Sequence, residues 1–301
     1  MSIRKRTPRA GNLPVEIDDA CLRAWPLPAP GDDADKEERG RLLVIAGSRE
    51  IAGAALLSAT AAFRAGAGKV LVATARSIAP SLSIAVPEAR VVGLDETAAG
   101  GLVVGDALFE RSVDAMLIGP GLMDRQATVE LVASALEHAG AATVVLDALA
   151  MEIVRERPRA PHGRMLVTPH AGELAHLSGA DKGAIEADPL AAARAACAQW
   201  RAGVVLKGAT TIVAADDGRA WRHAGGNAGL AVSGSGDVLA GLIAGLAARR
   251  VPPEQAAVFG VALHARAGER RAAQVGDIGF LPREIAGEVP RLMQELASAA
   301  R

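Results

Sequence analysis

Aromatic residues are scarce in this 301-residue chain, and tyrosine is absent. Phenylalanine, tryptophan and tyrosine make up 2% of the sequence, although hydrophobic residues as a whole make up 50%. A large core is therefore available, but it has to be built from alanine, valine, leucine and isoleucine, with 33 glycines at the turns. The length suits one large α/β domain or two small ones.

Cysteine, net charge and long apolar runs are also lacking. Cys21 and Cys197 are too few for a disulfide framework, and neither has a metal-ligand spacing. A formal net charge of −1 argues against broad binding of nucleic acid or of an anionic membrane. No apolar run reaches the roughly 18 residues of a membrane span, and the basic N-terminus lacks the apolar stretch of a secretory signal. These absences predict a soluble cytoplasmic protein without nucleic-acid or membrane partners.

Strand patterns and helix patterns alternate from residue 41 onwards. Residues 41–47 form a short apolar run ending in glycine, 54–64 an alanine-rich helix pattern, and 69–74 the next apolar run. This order predicts a right-handed parallel crossover, which places the loops after the strands at the carboxyl edge of the sheet, where ligands bind. Further strands are predicted at 90–93, 114–119, 143–147, 164–168, 203–207, 211–215 and 221–223, and further helices at 125–138, 173–177, 189–201, 253–273 and 282–299.

The chain is predicted to form one doubly wound α/β domain over residues 39–301, with a mostly parallel sheet flanked by helices. The strand at 221–223 is expected to complete a small antiparallel portion. Residues 1–38 are rich in proline, glycine and charge. They are predicted to form an N-terminal arm that is flexible or packs on a neighbouring subunit, with one helical turn around residues 20–25.

A glycine-rich stretch, Ser233-Gly234-Ser235-Gly236, leads into a long apolar helix expected to begin at Asp237. A helix start offers unpaired N–H groups and positive partial charge, and small residues let a phosphate approach them. An acid at that junction would repel a phosphate if the loop only bound it. It is explained if Asp237 is a base, kept ionised by the helix dipole, that takes a proton from a hydroxyl attacking the phosphate. The alternative is a simple helix N-cap.

Two other loops carry polar groups at predicted strand ends. His170 and Glu173 lie three residues apart where a strand gives way to a helix, so one can bind ligand oxygens and the other a hydrated Mg²⁺. The alternative is a satisfied histidine beside an acid that starts a helix. The stretch from Lys207 to Thr211, KGATT, joins two strands and can wrap a nucleotide base or phosphate. The remaining histidines are expected to be structural: His138, His162, His176, His223 and His264.

Glycines after the strand at 41–47 and in 119–121 leave the backbone bare for a ligand, or simply form tight turns. The sequence has no GxxxxGK[ST] phosphate loop and no GxGxxG after its first strand. Five segments together resemble the ADP/ATP-dependent NAD(P)H-hydrate dehydratases of the ribokinase-like superfamily, over about residues 40–300. They are GS…GAA at 47–55, IGPGL at 118–122, TPHAGE at 168–173, KGATT at 207–211 and GN…SGSGDVLAG at 226–241.

The resemblance implies a ribokinase-like fold and a role for each matching residue. Residues expected to contact the hydrated nucleotide, NADHX or NADPHX, are Ala54, Gly121, His170 and Asp237. Residues expected to contact ADP or ATP are Lys207, Gly208, Ala209, Thr210, Thr211 and Gly236. The N–H groups of Gly234, Ser235 and Gly236 would form an anion hole, Asp237 would be the catalytic base, and Mg²⁺ would bridge the phosphates, reaching Glu173 through water.

The implied reaction is a metabolite repair by a hydro-lyase. ADP or ATP would phosphorylate the hydroxyl on the hydrated ring, and phosphate would then leave. Most related kinases carry asparagine at the position of His170, which favours the dehydratase. Three positions depart from the family: Ile51 replaces an aromatic residue, Ala171 a proline and Ser235 a threonine. The change at Ile51 affects the nicotinamide pocket.

Two other functions also fit the sequence, and two kinds of protein partner are expected. The first is a kinase of the same fold that acts on a thiazole or pyrimidine alcohol, a vitamin precursor. The second is a nucleotide-binding regulator without catalysis, which has no use for an acid beside a phosphate. The epimerase domain often fused to this family does not fit into the first 40 residues, so a separate epimerase is expected as a partner. The resemblance also suggests a homo-oligomer, such as a tetramer.

Overall fold

The computed structural model describes residues 13–28, 39–157 and 163–298. Within these residues, eleven strands form one sheet. The strands are β1 Val15–Glu16, β2 Arg41–Ile45, β3 Lys69–Ala75, β4 Arg90–Glu96, β5 Leu102–Val103, β6 Ala115–Ile118, β7 Thr143–Leu146, β8 Met165–Val167, β9 Gly203–Leu206, β10 Thr211–Ala214 and β11 Ala220–His223.

The strand order is β1-β11-β10-β9-β8-β7-β6-β2-β3-β4-β5. All pairings from β4 across β2 to β9 are parallel, whereas β10 is antiparallel to both β9 and β11. The chain runs outward from β2 to β5 and then returns to the other side of β2 as β6. The loops after β2 and β6 therefore diverge at the carboxyl edge, which is where doubly wound sheets bind ligands. The predicted fold class and the antiparallel portion are confirmed.

Helices cover both faces of the sheet, because successive strand residues point to opposite sides. Leu42 and Val44 of β2 belong to the core on one face, and Leu43 and Ile45 to the core on the other. The helices are α1 Asp19–Ala24, α2 Ala52–Arg64, α3 Ala79–Ala85, α4 Arg125–His138, α5 Ile153–Glu156, α6 Ala171–Ser178, α7 Lys182–Ala187, α8 Pro189–Trp200, α9 Ser235–Ala248, α10 Pro253–Val275 and α11 Pro282–Ser298.

Helices α2 and α9 are in direct backbone contact. A Cβ built on Gly241 would lie 2.4 Å from the carbonyl oxygen of Ser58, and one built on Gly245 would lie 2.5 Å from that of Ala62. Only glycine fits at such an approach. The hydroxyl of Ser58 also donates to the carbonyl oxygen of Asp237, at 3.2 Å. This packing fixes the start of α9 against the loop that follows β2.

Residues 13–28 differ from the predicted arm, because they pack on the sheet of their own chain. Strand β1 pairs in parallel with β11, and Leu22 of α1 is buried in the main core. Trp25 stacks on Trp221 with ring centroids 5.7 Å apart. The helical turn expected at 20–25 is α1. The rest of the predicted arm, residues 1–12 and 29–38, lies outside the described residues, as does His162.

Three short helices, α3, α5 and α7, occupy segments in which the sequence pattern predicts no helix. Each has four to seven residues and buries only one or two side chains, so its apolar periodicity is too short to detect. None of the helices formed by the described residues is long and apolar enough to cross a bilayer.

Candidate active site

The glycine-rich stretch forms the first turn of α9. The helix begins at Ser235, and Gly234 caps it with φ of 93°. Both predictions about this start are corrected: the helix begins two residues before Asp237, and Asp237 is not the N-cap. The N–H of Ser235 donates to the carbonyl oxygen of Val232 at 3.2 Å. The N–H groups of Gly234, Gly236 and Asp237 have no acceptor among the described residues, so they can bind an anion.

The carboxylate of Asp237 makes no hydrogen bond to any described residue, and its interactions are with the charges of Asp147 and Lys207. Burial and the negative charge of Asp147 raise the pKa of Asp237 to about 6, although the Lys207 ammonium opposes the shift. The expected effect of the helix dipole was to favour the ionised form, so the direction of the shift differs from that expectation. A pKa near 6 leaves most of the carboxylate ionised at pH 7 and suited to accept a proton.

Lys207 lies at the centre of the charged groups around the start of α9. Its ammonium donates to Asp147 at 3.1 Å and lies 3.7 Å from Glu173. A Cβ built on Gly236 would be 3.5 Å from this ammonium. Burial lowers the pKa of Lys207, but Asp147 and Glu173 outweigh it and raise the pKa above its usual value. Lys207 is therefore a permanent cation beside the unpaired N–H groups.

A cavity of about 860 Å³ opens at this edge of the sheet. That volume is enough for a nucleotide. Five residues predicted to bind adenine nucleotide line it: Lys207, Gly208, Ala209, Thr211 and Gly236. Thr210 and Asp237 are not among the lining residues. Residues that the sequence did not place in the site complete the wall, among them His223, Asn227, Leu230, Leu239 and His264.

His170 and Glu173 form a capping box at the start of α6. The N–H groups of Gly172 and Glu173 donate to Nδ1 of His170 at 3.0 and 3.2 Å, and the His170 N–H donates to Glu173 at 2.8 Å. The expected alternative, a satisfied histidine beside a helix-starting acid, therefore describes these contacts. Because Nδ1 accepts, the imidazole proton resides on Nε2. His170 also lines the cavity and is 59% exposed, so this N–H can reach a ligand.

Ala54 and Gly121 meet where the β2 and β6 loops diverge. A Cβ built on Gly121 would lie 2.7 Å from the Cβ of Ala54 and 2.7 Å from the carbonyl oxygen of Ile51. The N–H of Gly47 donates to the carbonyl oxygen of Pro120 at 2.8 Å, which ties the two loops together. Neither Ala54 nor Gly121 lines the large cavity. The structure thus separates the predicted site residues into two groups. The loop group is Ala54 and Gly121. The cavity group consists of the predicted residues that line the cavity: His170, Lys207, Gly208, Ala209, Thr211, Ser235 and Gly236.

Two polar residues of the site were not identified from the sequence. Asp147 is buried, and it accepts hydrogen bonds from Thr168 at 2.6 Å and from Lys207. Asp147 directly follows β7, and an acid at the end of a parallel strand is a sequence signal that could have placed it at the carboxyl edge of the sheet. His264 lies inside the pattern of α10, and its contact with Ser235 has no local signature.

A protein cage for a metal ion is not found within the described ranges, because no three His, Cys, Asp or Glu side chains are grouped to hold one. Glu173 already accepts the His170 N–H and faces Lys207. Mg²⁺ commonly keeps several waters and binds through substrate phosphates. The residues present therefore fit an ion that arrives on a nucleotide better than an ion held by the protein.

The doubly wound sheet, with the unpaired N–H groups at the start of α9, is that of a ribokinase-like domain. A solved structure of a ribokinase-like superfamily protein from Enterococcus faecalis V583 matches with a TM-score of 0.81 and 28% identity, over 95% of this chain and 99% of that chain. Within this class, the model of the NAD(P)H-hydrate dehydratase family matches residues 42–291. The chain belongs to that family.

Similar proteins share this family. The ADP-dependent (S)-NAD(P)H-hydrate dehydratase of Xanthomonas campestris pv. campestris is 49% identical over 92% of this chain and 95% of that protein. The crystal structure of the ADP/ATP-dependent NAD(P)H-hydrate dehydratase from Bacillus subtilis, co-crystallised with ATP/Mg²⁺, matches with a TM-score of 0.79 and 29% identity, over 95% of this chain and all of that chain. A bifunctional NAD(P)H-hydrate repair enzyme of Moorella thermoacetica is 38% identical, and the match spans 52% of its length.

Proposed function

We propose that this protein uses ADP or ATP to remove water from the S-epimer of hydrated NADH or NADPH. The observation that carries the proposal is the placement of Asp237. Its unpaired carboxylate, with a pKa of about 6, sits in the first turn of a helix whose leading N–H groups are free to bind phosphate. A site that only bound phosphate would gain nothing from an acid there. Relatives named as (S)-NAD(P)H-hydrate dehydratases support this choice of substrate.

Hydroxide is a poor leaving group, so the ring hydroxyl is first phosphorylated. Asp237 takes the hydroxyl proton as the oxygen attacks the terminal phosphorus, and the bond to the nucleotide breaks to release AMP or ADP. The N–H groups of Gly234 and Gly236 and the Lys207 ammonium hold the charge on the transferred group. The lone pair of the ring nitrogen then expels phosphate, and loss of a proton from the neighbouring ring carbon restores the double bond.

The two substrates are assigned to the two groups of site residues. The adenine nucleotide occupies the cavity lined by Lys207, Gly208, Ala209, Thr211 and Gly236, and Thr210 belongs to the same loop. The hydrated nicotinamide lies between the Ala54 and Gly121 loops and Asp237, and it takes a hydrogen bond from Nε2 of His170. This division has physical support, because the loop group lies at the topological switch point between β2 and β6, whereas the loop from Lys207 to Thr211 joins β9 to β10, beyond β7 and β8 in the sheet. Ile51 is 48% exposed beside Ala54 and Gly121, and it supplies a smaller wall than an aromatic ring.

Mg²⁺ is proposed to enter with the nucleotide. When bound to the phosphates it would neutralise part of their charge and orient the terminal group. Glu173 would face it through water, and Lys207, whose ammonium lies 3.7 Å from Glu173, would contact the phosphates beside it. Bifunctional relatives support a separate epimerase as a metabolic partner. A homo-oligomer, such as a tetramer, is proposed from the family resemblance, and light scattering of the purified protein would measure it.

The test is to mix purified protein with hydrated NADH, Mg²⁺ and either ADP or ATP, and to follow recovery of the dihydronicotinamide absorbance. Recovery that needs a nucleotide would establish the reaction and identify the donor. An Asp237→Asn variant is the control for contaminating activity. If absorbance does not recover, the protein is assayed with thiazole and pyrimidine alcohols, and formation of a stable phosphorylated alcohol would identify a kinase. Nucleotide binding without turnover of hydrated NADH or of these alcohols would support the non-catalytic regulator.

A further inference from the structure

His264, expected from the sequence to be structural, contacts the residue that starts α9. It lies on α10 and lines the same cavity as Lys207 and Gly236. Its Nε2 atom is 3.0 Å from the hydroxyl oxygen of Ser235 and 3.1 Å from the carbonyl oxygen of Ser235. Ser235 is 4% exposed and also lines the cavity. One imidazole nitrogen therefore contacts both oxygens of a residue at the proposed phosphate site.

The contact with the carbonyl oxygen decides which imidazole nitrogen carries the proton. A carbonyl oxygen can only accept, so Nε2 of His264 must be the donor in this contact. Burial lowers the pKa of His264 to about 4, and the nearby Lys207 ammonium contributes to the shift. The ring is therefore neutral at pH 7 and has a single N–H. That N–H is shared between the two oxygens of Ser235, as in other three-centre bonds.

Ser235 is left with one donor for a ligand. Its backbone N–H is already used by the carbonyl oxygen of Val232. Its hydroxyl oxygen accepts from His264 and has no second partner among the described residues, so the O–H is available to donate. The next residue, Gly236, has an N–H without an acceptor among the described residues, and a Cβ built on it would lie 3.5 Å from the Lys207 ammonium, which lines the same cavity. If the hydroxyl donated to His264 instead, its lone pairs would face a bound phosphate and repel it.

We infer that His264 is a positioning residue that holds Ser235 so that its hydroxyl donates to a phosphate oxygen of the nucleotide. The inference rests on the proposed function for the identity of the ligand, a nucleoside di- or triphosphate. It assigns a role to the serine that stands where the family usually has threonine, since either side chain supplies a hydroxyl at this point. It also explains why a buried histidine faces a charged cavity without a carboxylate partner.

The test compares ADP with adenosine by calorimetry, without hydrated NADH, in the variants Ser235→Ala, His264→Ala, His264→Gln and the double alanine variant. Losing one hydrogen bond to a charged phosphate should weaken ADP binding about tenfold in Ser235→Ala. His264→Ala should cause a similar loss, and the double variant no additional loss. Adenosine affinity should stay unchanged. The amide nitrogen of His264→Gln can replace Nε2 as donor, so this variant should bind ADP within about threefold of wild type.

A matched control is His138→Ala, because Nδ1 of His138 contacts a backbone carbonyl at 2.8 Å and lies outside the cavity. Its ADP affinity should equal that of wild type. Additive losses in the double alanine variant, or equal losses for ADP and adenosine, would overturn the positioning role. If His264→Ala does not fold, His264→Leu takes its place, because leucine keeps much of the side-chain volume but has no donor. Wild-type ADP affinity in that variant would overturn the positioning role. Failure of wild type to repair hydrated NADH while it binds ADP would reject only the proposed function. Failure to bind ADP at all would reject both.

Discussion

Asp237 owes its raised pKa to burial and to Asp147, and the Lys207 ammonium limits the rise. A base of pKa about 6 is mostly ionised at neutral pH and still has appreciable affinity for a proton. Asp147 acts on this site twice, because it also holds Lys207 by an ion pair at 3.1 Å. The charges of Asp147, Lys207 and Asp237 therefore influence one another, and a substitution at Asp147 is expected to change the pKa of Asp237.

The first prediction concerns the pH dependence of catalysis. The rate should fall about tenfold per pH unit below about pH 6, because protonated Asp237 cannot accept the hydroxyl proton. Asp147→Asn should move this limb to lower pH, since it removes a negative neighbour and frees Lys207. Profiles of kcat/KM for both proteins measure the limb. If the acidic limb of the profile is unchanged in Asp147→Asn, Asp147 does not influence the pKa of Asp237.

The second prediction is that Asp237→Asn loses turnover by several orders of magnitude while ADP affinity changes little. The amide cannot take the proton, but the N–H groups and Lys207 remain. Single-turnover kinetics and calorimetry measure the two effects. Retention of more than about a tenth of the wild-type rate would remove Asp237 from the base role.

The same variant should be more stable than wild type. A carboxyl whose pKa rises from 3.8 on folding to about 6 opposes the folded state above pH 6. Removing that charge should increase the free energy of unfolding by about 1–2 kcal/mol at pH 7, after allowance for partial exposure. The gain should vanish as pH falls towards 4, where wild-type Asp237 is protonated when folded. Chemical denaturation at both pH values tests this, and a pH-independent difference would contradict it.

At the scale of elements, α9 depends on its contact with α2. Gly241 and Gly245 let the two backbones touch, and the contact places the first turn of α9 opposite the loop after β2. The proposed phosphate site and the proposed nicotinamide site therefore share one rigid support. Such support matters because displacements of about 1 Å cost large factors in rate.

The third prediction is that Gly241→Ala destabilises the protein by more than about 2 kcal/mol, because the new Cβ would lie 2.4 Å from the Ser58 carbonyl oxygen. The matched control is Gly287→Ala in α11, where no atom lies within 4 Å of the added Cβ. That change should stabilise by about 0.5–1 kcal/mol through helix propensity. Thermal unfolding of both variants distinguishes packing from propensity, and equal effects would argue against the α2–α9 contact.

Most elements were predictable because their patterns are long or strongly apolar. Strands β2, β3 and β7 each contain at least three consecutive apolar residues, and α4 and α10 extend over several turns. The start of α9 was placed two residues late, because serine and glycine are poor helix formers and tertiary contacts overcame that preference. The short helices α3 and α7 could not be predicted from the sequence, because seven and six residues span no more than two helical turns and show no clear apolar periodicity.

For the whole molecule, residues 13–28 belong to the domain and reach its active edge. Nδ1 of His223, a cavity residue, lies 3.2 Å from the carbonyl oxygen of Ile17, which follows β1. Arg266 of α10 also donates to Asp19 of α1, at 2.5 Å. The N-terminal segment therefore completes the sheet next to the cavity proposed to bind the nucleotide.

The fourth prediction tests this integration with two leucines of that segment. Leu22 is 2% exposed and lies in the core, whereas Leu13 is 89% exposed. Leu22→Ala should lower the stability of the whole domain by about 2–4 kcal/mol in one cooperative transition, and Leu13→Ala should have little effect. Thermal and denaturant unfolding provide the measurement. An unchanged melting temperature in Leu22→Ala would instead support the original prediction that this segment is a flexible arm.

The sequence by itself determined the α/β class and the family, because these depend on local periodicity and on short motifs. Tertiary structure alone decided which motifs face each other. Asp147 meets Lys207 across 60 residues, and Ser235 meets His264 across 29. It also decided that β1 lies beside β11. These contacts arise when strands and helices pack, and packing depends on shape and burial that no local pattern contains.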